Sequence, residues 1–224
     1  GRKTAMRLIL IGCEYAGKTT LANEIVEWIG RTMGSSRTFH DHFSIPNAEL
    51  PEEDKKSYSA LTPYVRQLFQ LYMMNHHFHD SFYSEPDHNL VGFHIEEAIY
   101  GPLYYGYAAD GDVGSPMARR LEEEIMQKAP DTVLILLRAR PETIVQRMAD
   151  TLHEWQIVRE EDVEPVLQRF EEEYEASLIR AKFALDTSDD SVEETLAEFA
   201  AQIEPHLTQR DRQRRQACRE SAGS

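Results

Sequence analysis

Cysteine is nearly missing from this chain: there are two in 224 residues, Cys13 and Cys218, far apart in sequence. Neither belongs to a C-x-x-C pair or to a spacing that would hold zinc. A disulfide framework is thereby excluded, and the usage suits a reducing cytoplasm. Long apolar runs are absent as well. No stretch of 18 apolar residues occurs, so there is no candidate transmembrane helix, and the first residues carry a short charged lead without the apolar core of a signal peptide. Positive charge is in deficit, with 24 Lys and Arg against 39 Asp and Glu and a formal net charge of -15. That balance argues against a nucleic-acid polymer as partner, which would call for a basic face, and leaves small anionic ligands open. Repeats and low-complexity linkers are also missing. The length therefore reads as one domain able to bury a substantial core.

What is present begins with LILIGCEYAGKTTL, Leu8 to Leu21. Four apolar residues lead into a turn with glycine at both ends, followed at once by lysine and two threonines. The spacing from Gly12 through Gly17, Lys18 and Thr19 fits G-x-x-x-x-G-K-[ST], in which backbone N–H groups turn toward a triphosphate. Gly12, Cys13, Glu14, Tyr15, Ala16, Gly17, Lys18, Thr19 and Thr20 would form this cradle. Lys18 would neutralise the β and γ phosphates, and the Thr19 hydroxyl would bind Mg²⁺. The flanks agree: Leu8 to Ile11 reads as a buried strand, and Leu21, Ile25, Trp28 and Ile29 recur at helical spacing.

Further along, a short second strand is expected near Arg37 to His40, with a turn closed at Pro46. PEEDKKSYSA reads as a short polar helix. Thr62-Pro63 opens a long helix from about Tyr64 to Phe82, whose apolar stripe of Val65, Leu68, Phe69, Tyr72 and Met73 reads as core. The histidines 76, 77 and 79 with Asp80 read as a solvated helix end, because their spacing does not put all ligands on one helical face. Leu90 to Ile95 is the third strand, Ser115 to Lys128 an amphipathic helix, Asp131 to Leu137 the fourth strand, and Pro141 starts another helix. Asp162 to Ala181 is helical and heavily charged, KFALDTS is the fifth strand, and Ser191 with Glu194 caps the next helix. Strands alternating with helices make an α/β sheet covered on both faces, whose ligands lie beyond the carboxyl ends of the strands. Those ends carry the phosphate loop, His40-Asp41-His42, Glu96-Glu97, Arg138 with Arg140, and Asp186-Thr187-Ser188. A cradle, acidic positions and cations suit phosphoryl transfer.

From about Met6 to Phe199 the chain resembles the P-loop small-molecule kinases, most closely the deoxynucleoside and thymidylate kinase group. EEAIYGPLYYG, starting at Glu96, is similar to the segment that begins Glu-Arg-Ser in deoxynucleoside kinases, where the glutamate assists the metal. LFQLY resembles their Phe-Gln element, so Gln70 would read a nucleobase edge. LLRARPETIVQRM resembles the strand and helix that lead into a lid, with Arg147 against the nucleotide. The resemblance implies a P-loop kinase-type three-layer sandwich, five parallel strands in the order 2-3-1-4-5, and a lid at about 151–163; that segment lacks a dense arginine repeat, which leaves Arg159 as its main candidate cation. The resemblance implies ATP and Mg²⁺, with Thr19 and Glu96 as the metal-side residues. Asp41 would act as the base, and Phe43, Gln70, Glu97, Tyr100 and Tyr104 would line the acceptor site.

Two departures stand out. Glu97 occupies the arginine position of the Glu-Arg-Ser segment, and the acid after the second strand is Asp41, in HDHFSIP. The expected activity is transfer of the γ phosphoryl of ATP to a hydroxyl or phosphate of a nucleoside-like or nucleotide-like acceptor. The alternatives are a kinase of an antibiotic or other non-nucleoside alcohol and a nucleotide-binding switch without turnover. A core at about 6–203 is followed by a basic tail at about 208–224, with five arginines against Asp211 and Glu220. The tail reads as a frayed helix terminus in preference to a docking arm. A cytoplasmic location is expected and a homodimer is left open.

Overall fold

The computed structural model describes residues 6–34, 39–41, 51–77, 88–107, 116–151 and 156–222. Phe43, His42 and Pro46, His79 and Asp80, and Ser115 lie outside these residues. A parallel sheet forms the middle layer, with strand order β2-β3-β1-β4-β5. Its strands are β1 (Arg7–Gly12), β2 (His40–Asp41), β3 (His88–Val91), β4 (Val133–Arg138) and β5 (Ala181–Asp186). Four of them are four to six residues long, and β2 adds a two-residue edge in which Asp41 pairs with Val91. β1 is buried along its whole length. Strands covered on both faces read as continuous apolar runs in this way.

The helices are α1 (Lys18–Met33), α2 (Glu52–Ser59), α3 (Pro63–His76), α4 (Phe93–Tyr100), α5 (Pro116–Lys128), α6 (Pro141–Asp150), α7 (Val163–Ala176), α8 (Val192–Ile203) and α9 (Gln209–Ala222). α1, α8 and α9 pack together on one face, and α4, α5, α6 and α7 on the other. Right-handed crossovers produce this split, because the chain leaves β1 in one direction across the sheet and β3 in the other. Ile25 and Ile29 of α1, Ile95 and Ile99 of α4, and Phe170 of α7 are fully buried against Leu8, Leu10, Leu134 and Ile135. Burying each such side chain is worth about 1.5–3 kcal/mol.

Local chemistry sets the element ends. Gly12 closes β1 because a Cβ there would lie 2.8 Å from the Leu137 carbonyl oxygen of β4. Gly17, at φ 89°, caps α1 in a conformation that disfavours other residues. Pro141 opens α6, and Ser191 and Glu194 form the reciprocal capping box of α8 that the sequence indicates.

Four expectations need correction. The third strand ends at Val91 and does not reach Ile95, because Gly92 (φ 76°) and Phe93 (φ 60°) leave extended geometry. Glu96 and Glu97 therefore sit in the first turns of α4. The stripe on α3 is turned outward: Val65, Leu68, Phe69 and Tyr72 are exposed, while Gln70, Met74 and His77 face in. His77 is consequently buried, stacked on His88, and does not belong to a solvated helix end. The basic tail is docked on α1 and is not a frayed terminus. Asp211 of α9 is 1% exposed and accepts from the Met6 N–H at 3.1 Å, and Arg215 chelates Glu204 at 2.6 Å.

Candidate active site

The glycine-flanked loop of residues 12–17 joins β1 to α1. Lys18 Nζ donates to the carbonyl oxygens of Gly12 at 2.6 Å and Cys13 at 3.1 Å, and lies 3.0 Å from Glu96 Oε1. Both side chains are nearly buried, at 13% and 12% exposure. Thr19 and Thr20 are exposed in the first turn of α1, which holds no acidic residue. Free N–H groups and the helix dipole at such an end favour an anion. The Cys13 thiol is pushed up to about 12 by burial, so it stays neutral inside the loop. A cation and an adjacent carboxylate thus converge beyond the carboxyl ends of β1 and β3, with Thr19 next in sequence to the cation.

The loop is braced from behind. Arg147 of α6 donates to the Tyr15 carbonyl at 2.9 Å and to the Thr187 carbonyl at 2.5 Å, and burial lowers its guanidinium below the ordinary value. The Thr187 hydroxyl donates to the Ala16 carbonyl at 3.0 Å. Arg147 therefore grips the loop backbone, in addition to any part it takes toward a nucleotide. Thr187, just after β5, belongs to the strand-end group Asp186-Thr187-Ser188 that the sequence indicates, and the fold adds its contact with the loop backbone.

At the segment expected to be a lid, Glu14 Oε2 accepts from the N–H groups of Ile157 and Val158 at 3.0 and 2.8 Å, and the Tyr15 hydroxyl donates to Gln156 at 2.9 Å. Arg159 lies 3.3 Å from Asp162 and 5.9 Å from the centroid of the Tyr104 ring, while the Tyr104 hydroxyl donates to Asp162 at 3.1 Å. Burial and the neighbouring Asp162 push the Tyr104 phenol up, which keeps it a donor. Tyr104 thus faces Arg159 and Asp162. Tyr100 is fully buried, its phenol raised by burial and its oxygen accepting from the Glu14 N–H at 3.3 Å, so it supports the loop backbone.

Gln70 and Glu97, two residues expected to line an acceptor site, come together in one polar cluster. Gln70, 4% exposed, donates to the Tyr58 hydroxyl at 2.6 Å, and the Tyr107 hydroxyl donates to Glu97, also 4% exposed. Burial first, and the Glu97 charge after it, raise the phenols of Tyr58 and Tyr107. Arg66 lies between two rings, 5.8 Å from the Tyr58 centroid and 5.5 Å from that of Tyr105. Tyr58, Arg66 and Tyr107 escape a reading of strand ends because they come from α2, α3 and the π-helical turn region after α4. The inward face of α3, Arg66-Gln70-Met74 at i, i+4, i+8, carried the available signal.

Arg138 and Arg140 do not join the set. Arg138 chelates Glu171 with two bonds of 2.7 Å, and Arg140 chelates Asp189 at 2.6 and 2.5 Å, both on the surface. The Asp41 backbone pairs with Val91 at the sheet edge. Among the described residues no three His, Cys, Asp or Glu side chains gather as a metal cage. None of their helices is long and apolar enough to cross a membrane.

No family model matches the chain, and no curated protein matches it. Solved structures do. A deoxyadenosine kinase from M. mycoides with bound dATP superposes with a TM-score of 0.58 at 17% identity, over 89% of this chain and 100% of that one. A thymidylate kinase from Candida albicans gives 0.56 at 13% identity, over 90% and 92%. A sugar kinase from Janibacter sp. gives 0.51 at 13% identity, over 91% and 99%. These likenesses span nearly the whole of each chain, and the chain therefore has the fold of the P-loop nucleoside and nucleotide kinases.

Proposed function

We propose that this chain transfers the γ phosphoryl group of ATP to a hydroxyl of a small, nucleoside-like acceptor. The observation that carries the reading is the Lys18–Glu96 pair at 3.0 Å, set across a glycine-flanked loop at the head of α1. Phosphoryl transfer asks for positioning and for charge at the migrating group, and this pair supplies both signs there. Hard oxygen donors suit Mg²⁺, which keeps several waters and needs only one or two protein ligands. Thr19 and Glu96 are the residues that would hold it, and the metal would neutralise charge developing on the β and γ phosphates. Lys18 would bind the same phosphates, Arg159 would face them from the lid, and Asp41 would orient or deprotonate the acceptor hydroxyl.

Gln70 and Glu97 would read the acceptor. A buried carboxylate where deoxynucleoside kinases carry arginine favours a neutral or cationic acceptor over one that already bears phosphate, because like charges would meet in a poorly hydrated site. This feature also keeps a non-nucleoside alcohol as the second reading. The test is ADP release from ATP and Mg²⁺ against a panel of nucleosides, nucleoside monophosphates and hydroxylated small molecules. Turnover with unphosphorylated members is expected. Turnover confined to monophosphates would overturn the acceptor reading, and tight ATP binding without turnover on any member would overturn the enzyme reading.

A further inference from the structure

The loop motif leaves its four middle positions free, and here the second of them is an acid. A carboxylate in a loop built for a polyanion adds repulsion unless donors hold it elsewhere. Glu14 has such donors: the N–H groups of Ile157 and Val158, at 3.0 and 2.8 Å on one oxygen. Charge-assisted bonds to two successive amides are stronger than neutral ones and fix the direction of the chain that offers them. The neighbouring contacts point the same way. The Tyr15 hydroxyl holds Gln156, whose amide donates to the Val158 carbonyl at 2.9 Å, and Val158 is 1% exposed. The next residue is Arg159, whose guanidinium lies between Asp162 and the Tyr104 ring.

We propose that Glu14 is a positioning residue. Its carboxylate seats residues 156–158 on the phosphate loop, so that the shape of the loop and the placement of Arg159 are set together. The Glu14 N–H is held by Tyr100, one helical turn beyond Glu96 on α4, so one residue connects the metal-side helix, the loop and the cation of the lid. The seat itself stands on geometry alone; its consequence for turnover rests on the phosphotransferase reading above.

The test separates the two. Hydrogen exchange at the amides of Ile157 and Val158, measured on the full chain without nucleotide, reads the seat. E14A is expected to speed exchange at both by about tenfold or more, because the opening is local. E14Q, whose amide oxygen still accepts two bonds, should stay within a few fold of the parent. Parent-like exchange in E14A overturns the seat, whatever the activity. Should E14A fail to fold, Glu14→Asp, one methylene short of the amides, replaces it with the same two outcomes. Turnover then reads the consequence: with an acceptor from the panel, E14A should lower kcat by roughly 10²-fold, the scale of a misplaced catalytic group, with KM for ATP changed only a few fold. Loss confined to KM for ATP would overturn the positioning of Arg159. An inactive parent chain would overturn the phosphotransferase reading and leave the exchange result standing.

Discussion

At the scale of the residue, what the sequence discloses is chemistry whose partners are local. The loop motif could be read because every contact of Lys18 with Gly12 and Cys13 is made within six residues. Partners distant in sequence leave no such trace. Arg138 and Arg140 look like cations at a strand end, and only the fold shows them chelated by Glu171 and Asp189. Lys18 meets the Gly12 and Cys13 carbonyls and Glu96, and on the proposed reading it binds phosphate, so Lys18→Ala should weaken ATP binding about 10²-fold or more, the scale of a lost electrostatic contact in a preorganised site, with the melting temperature little changed. Calorimetric titration with ATP checks this; parent-like affinity would remove the loop from the site. For Asp41, Asp41→Asn retains size and most hydrogen bonding but accepts no proton. Turnover on the identified acceptor should fall roughly 10²-fold with ATP binding intact. A change of only a few fold would leave Asp41 a sheet-edge residue and move the base to Glu96 or Glu97.

At the scale of the element, periodicity identified α3 as amphipathic but assigned it the wrong inner face. Val65, Leu68, Phe69 and Tyr72 share a stripe, and burial of an apolar stripe is the ordinary outcome. Here the inward row is Arg66, Gln70 and Met74, because that face meets the polar cluster of Tyr58, Glu97 and Tyr107. Hydrophobicity alone does not indicate that a helix turns a glutamine inward to a site. The assignment has a stability consequence. Leu68→Ser and Tyr72→Ser should each change unfolding free energy by about 0.5 kcal/mol or less, as exposed substitutions do. Met74→Ala, which opens space in the core, should cost about 2–5 kcal/mol. Urea denaturation of the three variants checks the order; a cost at Leu68 equal to that at Met74 would restore the stripe to the core. The end of β3 was missed for a similar reason, since an apolar run conceals a glycine that bends it at φ 76°.

At the scale of the whole molecule, α4 carries both Glu96 and Glu97, and a buried ionic network fixes where that helix lies. His94 Nε2 meets Glu122 of α5 at 3.0 Å, both fully buried. Glu122 also accepts from the Ser177 hydroxyl at 2.6 Å and the Leu178 N–H at 2.8 Å, and Arg119 links Glu122 to Glu173 of α7 at 2.7 and 2.8 Å. None of this is visible in sequence, because the partners come from three segments and each reads singly as a surface charge. Burial on its own would raise the Glu122 carboxyl, yet the bonds from His94, Ser177 and Leu178 outweigh it and hold the group below its ordinary value of 4.5. A carboxyl depressed in the folded state stabilises the fold at every pH above its unfolded value. The contribution is lost as pH falls through the folded value. Glu122→Gln keeps the shape and removes the charge, and breaking one side of a buried network of this kind costs about 3–5 kcal/mol near neutral pH. The difference between parent and variant should therefore be widest above pH 4.5 and shrink as pH is lowered below it, because protonation makes the parent resemble the variant. Denaturant midpoints taken at neutral and acid pH measure this directly. A gap that stays constant across that range would mean that the cost comes from packing of the substituted amide and that the Glu122 carboxylate does not set the position of α4.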